Sequence, residues 1–489
     1  MPGEKHRKPG LEGGIYRPLS DTDEKTIADS ALELLEKSGM AVHSKTAFAA
    51  LEASGAIADP ESKIVKMPRS MVEDAIDSNP SSITLYSRNG RADIHLEDSK
   101  VHYGTGGTAL YVIDPDTGKR RKACIKDVIL NTRLVEVLEN IHLHTINVFP
   151  HEVKEKDDID VNRFFHALSH TNKHVMGGIY SMNGCKKLVD MLAMIAGGLE
   201  KFQKKPFASF ITLVISPFKI DDAYGEMSCY LAGQNLPVVV PTEPICGTTS
   251  PVTLAGNVLV HTAETIGGIT MLQAVNRGTP GICGSVGSIP DLHTMSHLGG
   301  PIERGMINSA VSQMAQYFKI PYYSIVGASD AKSMNAQAGW ESGMTNLLVA
   351  MSGANYIHDS VGLLEADLTI SYEKLVLDDE ILGMCQRVLR GIEVNNDTLA
   401  MDMLVEKGPG CDYLMEPHTL EHMRDEFFMT RFSNHDNRDN MKENDDAVSR
   451  AARFVNDLRL SEPKEFLEES MRQKILEKYP EILIPDLKV

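Results

Sequence analysis

Tryptophan occurs once in 489 residues, and aromatic side chains make up only 6% of the chain. The seven cysteines, Cys124, Cys185, Cys229, Cys246, Cys283, Cys385 and Cys411, lie far apart with no C-x-x-C pair, which excludes a disulfide scaffold and a local cysteine-based zinc knuckle. Basic residues are in deficit. Lysine and arginine number 49 against 67 acidic residues, a net charge of −18, and no basic stripe offers itself to a phosphate backbone, so nucleic acid is not an expected partner. The first residues, MPGEKHRKPGLEGG, lack the apolar stretch of a signal peptide, and no later run reads as the ~20 apolar residues of a membrane span. A cytoplasmic protein without a membrane partner is the expectation.

Two further motifs are incomplete. GTGGTALYVID carries Gly104, Gly106 and Gly107, but no helix follows to complete a G-x-G-x-x-G dinucleotide fingerprint; the glycines read instead as a close backbone approach to a ligand or a neighbouring loop. His166, His170 and His174, and likewise His293 and His297, recur every four residues without the Glu of H-E-x-x-H, so no metal is assigned. A zinc site joining distant residues such as Cys246 and Cys283 stays open.

What is present is regular. Hydrophobic residues at 42% and charged residues at 24% describe a folded globular chain. Ser20 can cap a helix whose Ile27, Ala31, Leu34 and Leu35 share a face, with Gly39 as a stop; two more apolar faces follow before Pro80. ITLYSR-NG-RADIHL predicts a hairpin turning tightly at Asn89 and Gly90, and LYVID-PDTG-KRRKA a second. From residue 101 eight short apolar runs alternate with helical patterning: VHYGTGG, LHTINVFP, HVMGGIYS, FASFITLVISP, PVVVPTEPICG, GICGSVGS, YYSIVGASD and ANYIHDSVG. Continuous apolar strands alternating with helices predict a parallel sheet covered outside, and eight such units predict an α/β fold of the TIM (β/α)8 barrel type; an open doubly wound sheet is the alternative. The expected division is an N-terminal helical and hairpin extension over 1–100, a barrel over 101–411 and a C-terminal helical extension over 412–489. In that extension Leu420, Met423, Phe427 and Phe428 share one predicted face, and Ala451, Phe454, Val455 and Leu458 another.

In a barrel, chemistry sits at the C-terminal ends of the strands. That criterion selects Ser329, Asp330 and Lys332 after the seventh run, Glu243 after the fifth, His358, Asp359 and Glu365 after the eighth, and Asn147 after the second. Lys332 offers a Schiff-base nucleophile if desolvated, against the plainer reading of an ion pair with Asp330 or another acid of the mouth. Tyr103, Phe149, Tyr180, Phe218, Trp340 and Tyr356 fall at or just beyond strand ends, where several rings together with acids make a cage for a quaternary ammonium.

Several segments together, GTGGTALYVID, TEPICGTTSPVTLAGNVLVHTAE, GASDAKSMNAQAGWESG, MSGANYIHDSVGLLEADLTISYEKLVLDDEI and PHTLEHMRDEFF, resemble the trimethylamine methyltransferase superfamily over residues 20–480 or so. The resemblance implies a TIM-barrel enzyme that moves a methyl group from an amine to the cobalt of a separate corrinoid (cobalamin) protein. Archaeal trimethylamine enzymes of that family carry pyrrolysine, whereas this chain has only the twenty standard residues and resembles the members acting on glycine betaine, proline betaine or carnitine. On that reading Asp330, Glu243 and Glu365 balance the substrate cation. Tyr103, Gly104, Gly106, Gly107, Asn147, Phe149, Lys332, Trp340, Tyr356 and His358 contact it, no cofactor is held tightly by the chain, and a homo-oligomer is allowed. A Schiff-base lyase using Lys332 and a non-catalytic betaine-binding barrel are the alternatives.

Overall fold

The computed structural model describes residues 10–440 and 445–487. Each of the eight apolar runs holds one parallel strand, the first of which starts one residue ahead of its run: β1 (Lys100–Tyr103), β2 (His144–Thr145), β3 (Val175–Gly178), β4 (Ala208–Ile211), β5 (Val238–Thr242), β6 (Gly281–Ser285), β7 (Tyr322–Ile325) and β8 (Tyr356–His358). They lie in one curled sheet in chain order from β2 to β8, and β8 then pairs with β1. A parallel bridge between Gly104 and Leu143 joins the two ends of this series, and a short strand, Leu11–Glu12, adds antiparallel to β1. A doubly wound sheet needs a point where the strand order reverses, and this order has none.

A helix follows each strand: α1 (Ile125–Val137), α2 (Ile159–His170), α3 (Met182–Ala196), α4 (Asp222–Gly233), α5 (Leu254–Val275), α6 (Ile302–Tyr317), α7 (Ala336–Ser352) and α8 (Tyr372–Arg390). Against the expectation that no run reaches a membrane span, α5 is long and apolar enough to cross one by composition, yet 83% of its apolar window is buried. The cause is visible in what surrounds it. One face lies on β5 and β6, and the other is covered by three N-terminal helices, Asp21–Lys37, Lys45–Ala53 and Arg69–Ser78. The first of these is capped as its sequence predicts: the Ser20 hydroxyl accepts from the Asp23 amide, the Asp23 carboxylate accepts from the Ser20 amide, and Gly39 (φ 72°) turns the chain out.

The first hairpin forms, with Ile83 opposite Leu96 and Leu85 opposite Ile94. Its connection is not the expected two-residue turn, because residues 86–93 all lie between the paired positions; the Asp93 carboxylate bonds back to the Ser87 amide and hydroxyl and closes a wider loop. Its four apolar side chains, Ile83, Leu85, Ile94 and Leu96, are buried against Leu143, Met176, Val239, Ile282, Tyr323 and Tyr356 inside the curl of the sheet. The hairpin is thus a plug in the N-terminal end of the strand array. The second hairpin pairs Tyr111–Ile113 with Arg120–Lys122.

In the C-terminal part, Ala447–Leu460 buries Ala451 and Val455 and packs on α8, while Glu469–Lys478 packs on α3. His166 and His170 bond to the Leu483 and Lys464 carbonyls, so their four-residue spacing ties the tail to α2. Helix Pro417–Glu426 departs from the expectation of a buried face, because Leu420, Met423 and Phe427 are exposed and only the Phe428 ring turns inward, against Gly383 of α8.

Candidate active site

Side chains alternate along each strand, so paired positions of neighbouring parallel strands face the same way. Tyr323 and Tyr356 are paired and point inward, and two residues beyond Tyr356 so does His358. At the C-terminal ends of the strands these inward positions open into a cavity of about 240 Å3, whose ring-bearing walls are Tyr180, Tyr224, Tyr323 and His358. Gly107, Ile211, Pro241 and Val286 complete much of the remaining surface. A larger cavity of about 690 Å3, near Arg88, Lys201 and Phe466, lies away from these strand ends and holds none of these groups.

The His358 ring stacks on Tyr323 with centroids 4.1 Å apart. Its Nδ1 lies 2.7 Å from the Ser324 carbonyl, which can only accept, so Nδ1 carries the proton and Nε2 presents a lone pair. Burial pushes the imidazole pKa down to about 3, so the ring is neutral. Nε2 lies 3.4 Å from Asp359 Oδ1. Asp359 is fully buried, has a left-handed backbone (φ 59°), and neither carboxyl oxygen makes a hydrogen bond. Burial and then the neighbouring Asp367 raise its pKa well above the usual carboxylate range against the pull of Arg304, so the group stands protonated, facing an acceptor. Gly106 makes this approach feasible, because a Cβ there would overlap the His358 ring and the Asp359 carboxyl.

Asp359 shares the field of one guanidinium with two further carboxyl groups, Asp367 and Glu243. Arg304 of α6, fully buried, reaches Asp367 at 3.0 Å and the Gly299 carbonyl at 2.8 Å. His297 lies 3.3 Å from the same Asp367. Burial raises the Asp367 pKa, but Arg304 and His297 together outweigh it and hold the carboxylate ionised. Glu365, Ala366 and Asp367 all have left-handed backbones (φ 56°, 53° and 71°), a conformation non-glycine residues adopt at a cost, and this turn carries Asp367 to Arg304. Glu243 stands open to solvent although protein surrounds it on most sides. That crowding raises its pKa, with His297 and Arg304 opposing, and water access limits the shift. The arrangement has more acid than base and protons to spare, next to a ring-lined cavity.

The sequence-selected residues divide. His358 and Gly107 line the cavity, and Gly106 packs behind it. Gly104 and Tyr356 meet beneath it: a Cβ on Gly104 would overlap the Tyr356 hydroxyl, which bonds Thr145 at 2.7 Å and the Thr105 carbonyl at 2.9 Å. Phe149 is one ring removed, edge-on to Tyr180 at 5.7 Å. Others stand elsewhere. Tyr103 is the neighbour of an inward position, so alternation turns it outward against His142. Asn147 is buried 3.4 Å from Asn131 of α1. Trp340 is 57% exposed on α7. Glu365 is bonded by Arg120 and Thr369, each at 2.6 Å.

Asp330 accepts the amides of Gly299 (2.8 Å) and Gly300 (3.1 Å), pinning the loop whose carbonyl holds Arg304. Lys332 is exposed and donates to the Asp330 carbonyl at 2.6 Å rather than pairing with the Asp330 carboxylate; another acid of the mouth, Glu365, feels its charge, and its exposure leaves it without the desolvation a Schiff-base lysine needs. Cys246 and Cys283 do not come together with other ligands among the described residues.

Tyr224, Tyr323, Arg304, Asp367 and His297 were not selected from the sequence. Tyr323 is legible by parity, since Tyr322, its outward neighbour, bonds Asn308 of α6 at 3.2 Å. Arg304 and Asp367 meet only through tertiary structure, and no local spacing joins them.

The family model for trimethylamine methyltransferase (MTTB) matches residues 4–479. A protein named trimethylamine methyltransferase MttB from Desulfitobacterium hafniense (strain DSM 10664 / DCB-2) is 33% identical, covering 85% of this chain and 83% of its own. A glycine betaine methyltransferase from Desulfitobacterium hafniense (strain Y51) is 28% identical, covering 86% and 87%. The crystal structure of Methanosarcina barkeri monomethylamine methyltransferase aligns with a TM-score of 0.49 at 15% identity, covering 80% of this chain and 79% of that one. With a match that runs through nearly the whole length, the chain belongs to the trimethylamine methyltransferase family.

Proposed function

We propose that this methyltransferase takes a methyl group from a quaternary amine of the betaine class and delivers it to Co(I) of a separate corrinoid protein. The observation that carries this reading is the cavity walled by Tyr180, Tyr224, Tyr323 and His358, with Asp359, Glu243 and Asp367 nearby against one guanidinium. Aromatic faces attract a quaternary ammonium, which cannot donate a hydrogen bond, and the acids offset its loss of water. The relative named glycine betaine methyltransferase supports the same substrate class.

The fold suits the task. We read the chain-ordered parallel strands, closed end to end by the Gly104–Leu143 bridge, as a (β/α)8 barrel flanked by the N- and C-terminal extensions. A methyl on a quaternary nitrogen leaves behind a neutral tertiary amine, so its transfer needs neither a general acid nor a protein nucleophile. The protein's part is to strip water from the cation and aim one methyl group out of the cavity toward the acceptor. That accounts for a site in which the histidine is neutral and anchored, Lys332 points to solvent, and the buried Lys374 beyond β7 is tied to the Gly327 carbonyl and Asp378.

The test is a panel of glycine betaine, proline betaine, carnitine and butyrobetaine, each mixed with the protein and a reduced corrinoid protein. At least one is expected to convert Co(I) to methyl-Co(III), without nicotinamide or added zinc, and to release the amine short of one methyl. Trimethylamine is expected to react poorly: protonated, it seeks a hydrogen bond that rings do not offer, and neutral it is a far worse methyl donor. Brisk transfer from trimethylamine, or no cobalt methylation by any quaternary amine, overturns the reading.

A further inference from the structure

Far from the cavity, residues 396–426 form three short helices, Asn396–Leu399, Met401–Lys407 and Pro417–Glu426, that bury no side chain. Val405, Leu414 and Met415 are 74%, 72% and 76% exposed. A substructure without an apolar core needs another source of cohesion, and small elements of this kind commonly use a metal ion. The polar contacts between its first and last helices converge on three side chains. His418 and His422 are four residues apart on one helix face, with ring centroids 4.3 Å apart. Asp397 comes from the first helix, its Oδ2 3.2 Å from His422 Nε2. That nitrogen is buried and makes no hydrogen bond of good geometry. One ligand atom from each residue lies within 4.8 Å of the other two.

We propose that Asp397, His418 and His422 bind a divalent first-row transition ion, with Zn2+ as the natural probe, and that this ion cross-links the first and last of these helices. Nitrogen and carboxylate ligands at ~2.1 Å suit such an ion, and a tetrahedron of that size has edges of roughly 3.4 Å, within reach of modest side-chain rotation from the present separations. His418 Nε2, now 3.0 Å from the Asp397 carbonyl, exchanges that bond for the metal, or the ring coordinates through Nδ1. The Asp397 side chain is 70% exposed, which leaves the fourth position to water. The inference is independent of the methyl-transfer reading.

The experiment uses the full chain without a histidine tag, stripped with chelator and titrated with Zn2+ by calorimetry, with metal content measured after dialysis. One ion per chain is expected, with a Kd of about 1 μM or tighter. His422→Ala and, independently, Asp397→Asn are each expected to weaken binding roughly tenfold or more while circular dichroism stays unchanged. Zn2+ is also expected to slow proteolysis within residues 391–429 in the wild type alone. Absence of stoichiometric uptake overturns the proposal. So does equal uptake by both variants, or a thiolate charge-transfer band with Co2+, which would put the ion on the exposed Cys411 instead.

Discussion

Gly106 lies against Asp359 with no room for a side chain between them: a Cβ on Gly106 would stand 2.6 Å from the Asp359 amide nitrogen and overlap its carboxyl. The glycine-rich turn after β1 is therefore the back wall that sets where His358 and Asp359 stand.

Gly106→Ala is expected to push the His358–Asp359 segment away from β1. Overpacking of this kind costs about 1–3 kcal/mol, and a displacement near 1 Å in a positioning group lowers methyl transfer by up to about 100-fold. Gly118→Ala is the control. Gly118 has φ 65° but open space around it, so that variant loses about 1 kcal/mol and keeps its activity. Urea unfolding and single-turnover transfer measured on both variants separate the two effects, and normal transfer in Gly106→Ala would show that the wall does not position the site.

Binding of a quaternary ammonium is expected to release protons. Burial raises the Asp359 pKa well above the ordinary carboxylate range in the free protein, and the crowding of Glu243 by protein raises its pKa too, although it keeps access to water. A neighbouring cation favours their ionised forms, so affinity rises with pH until they are ionised without it and weakens as pH falls. Calorimetry in two buffers of different ionisation heat reads the proton count directly. Equal heats in both buffers would mean that neither carboxyl faces the bound cation.

Glu264 on α5 gives a pH effect on stability rather than on binding. It bonds Thr242, the Ser216 hydroxyl at 2.7 Å and the Phe218 amide at 2.7 Å, yet burial still pushes its pKa up to about 7. The folded chain thus holds this proton to higher pH than the unfolded chain does, so its contribution is fully present below about pH 4.5 and is lost as pH rises through 7. At ~1.4 kcal/mol per unit, the loss is on the order of 3 kcal/mol. Glu264→Gln is expected to flatten the stability profile between pH 5 and 8 in urea titrations; an unchanged slope would assign it to other buried acids such as Asp160, whose pKa burial raises to about 7 as well.

Periodicity made most of the fold legible, because strand placement depends on local apolar runs and each of the eight runs holds a strand. The first helix was readable to its cap, since Ser20 and Asp23 act within one turn. The site was less so, for two physical reasons. A strand end presents side chains to opposite faces, so a list of residues near strand ends mixes inward His358 with outward Tyr103 until the parity is fixed. Partners distant in sequence were also invisible: Asp330 looks like a free acid until Gly299 and Gly300 are found on it, and Arg304 looks like an ordinary helix residue until Asp367 is seen beside it. The breadth of the hairpin loop was hidden for another reason, because Asn89-Gly90 matches a two-residue turn while the closing bond runs from Ser87 to Asp93 around it.

The hairpin fills the N-terminal end of the strand array, which leaves the C-terminal ends as the side from which the cavity is approached. On the reading proposed above, the small cation and the much larger acceptor protein must share that side and cannot queue from opposite ones. The amine enters first, the acceptor then covers the entrance, and the demethylated amine waits until the acceptor lifts away. Traffic of this kind runs in compulsory order, and a surplus of acceptor would hold the door shut.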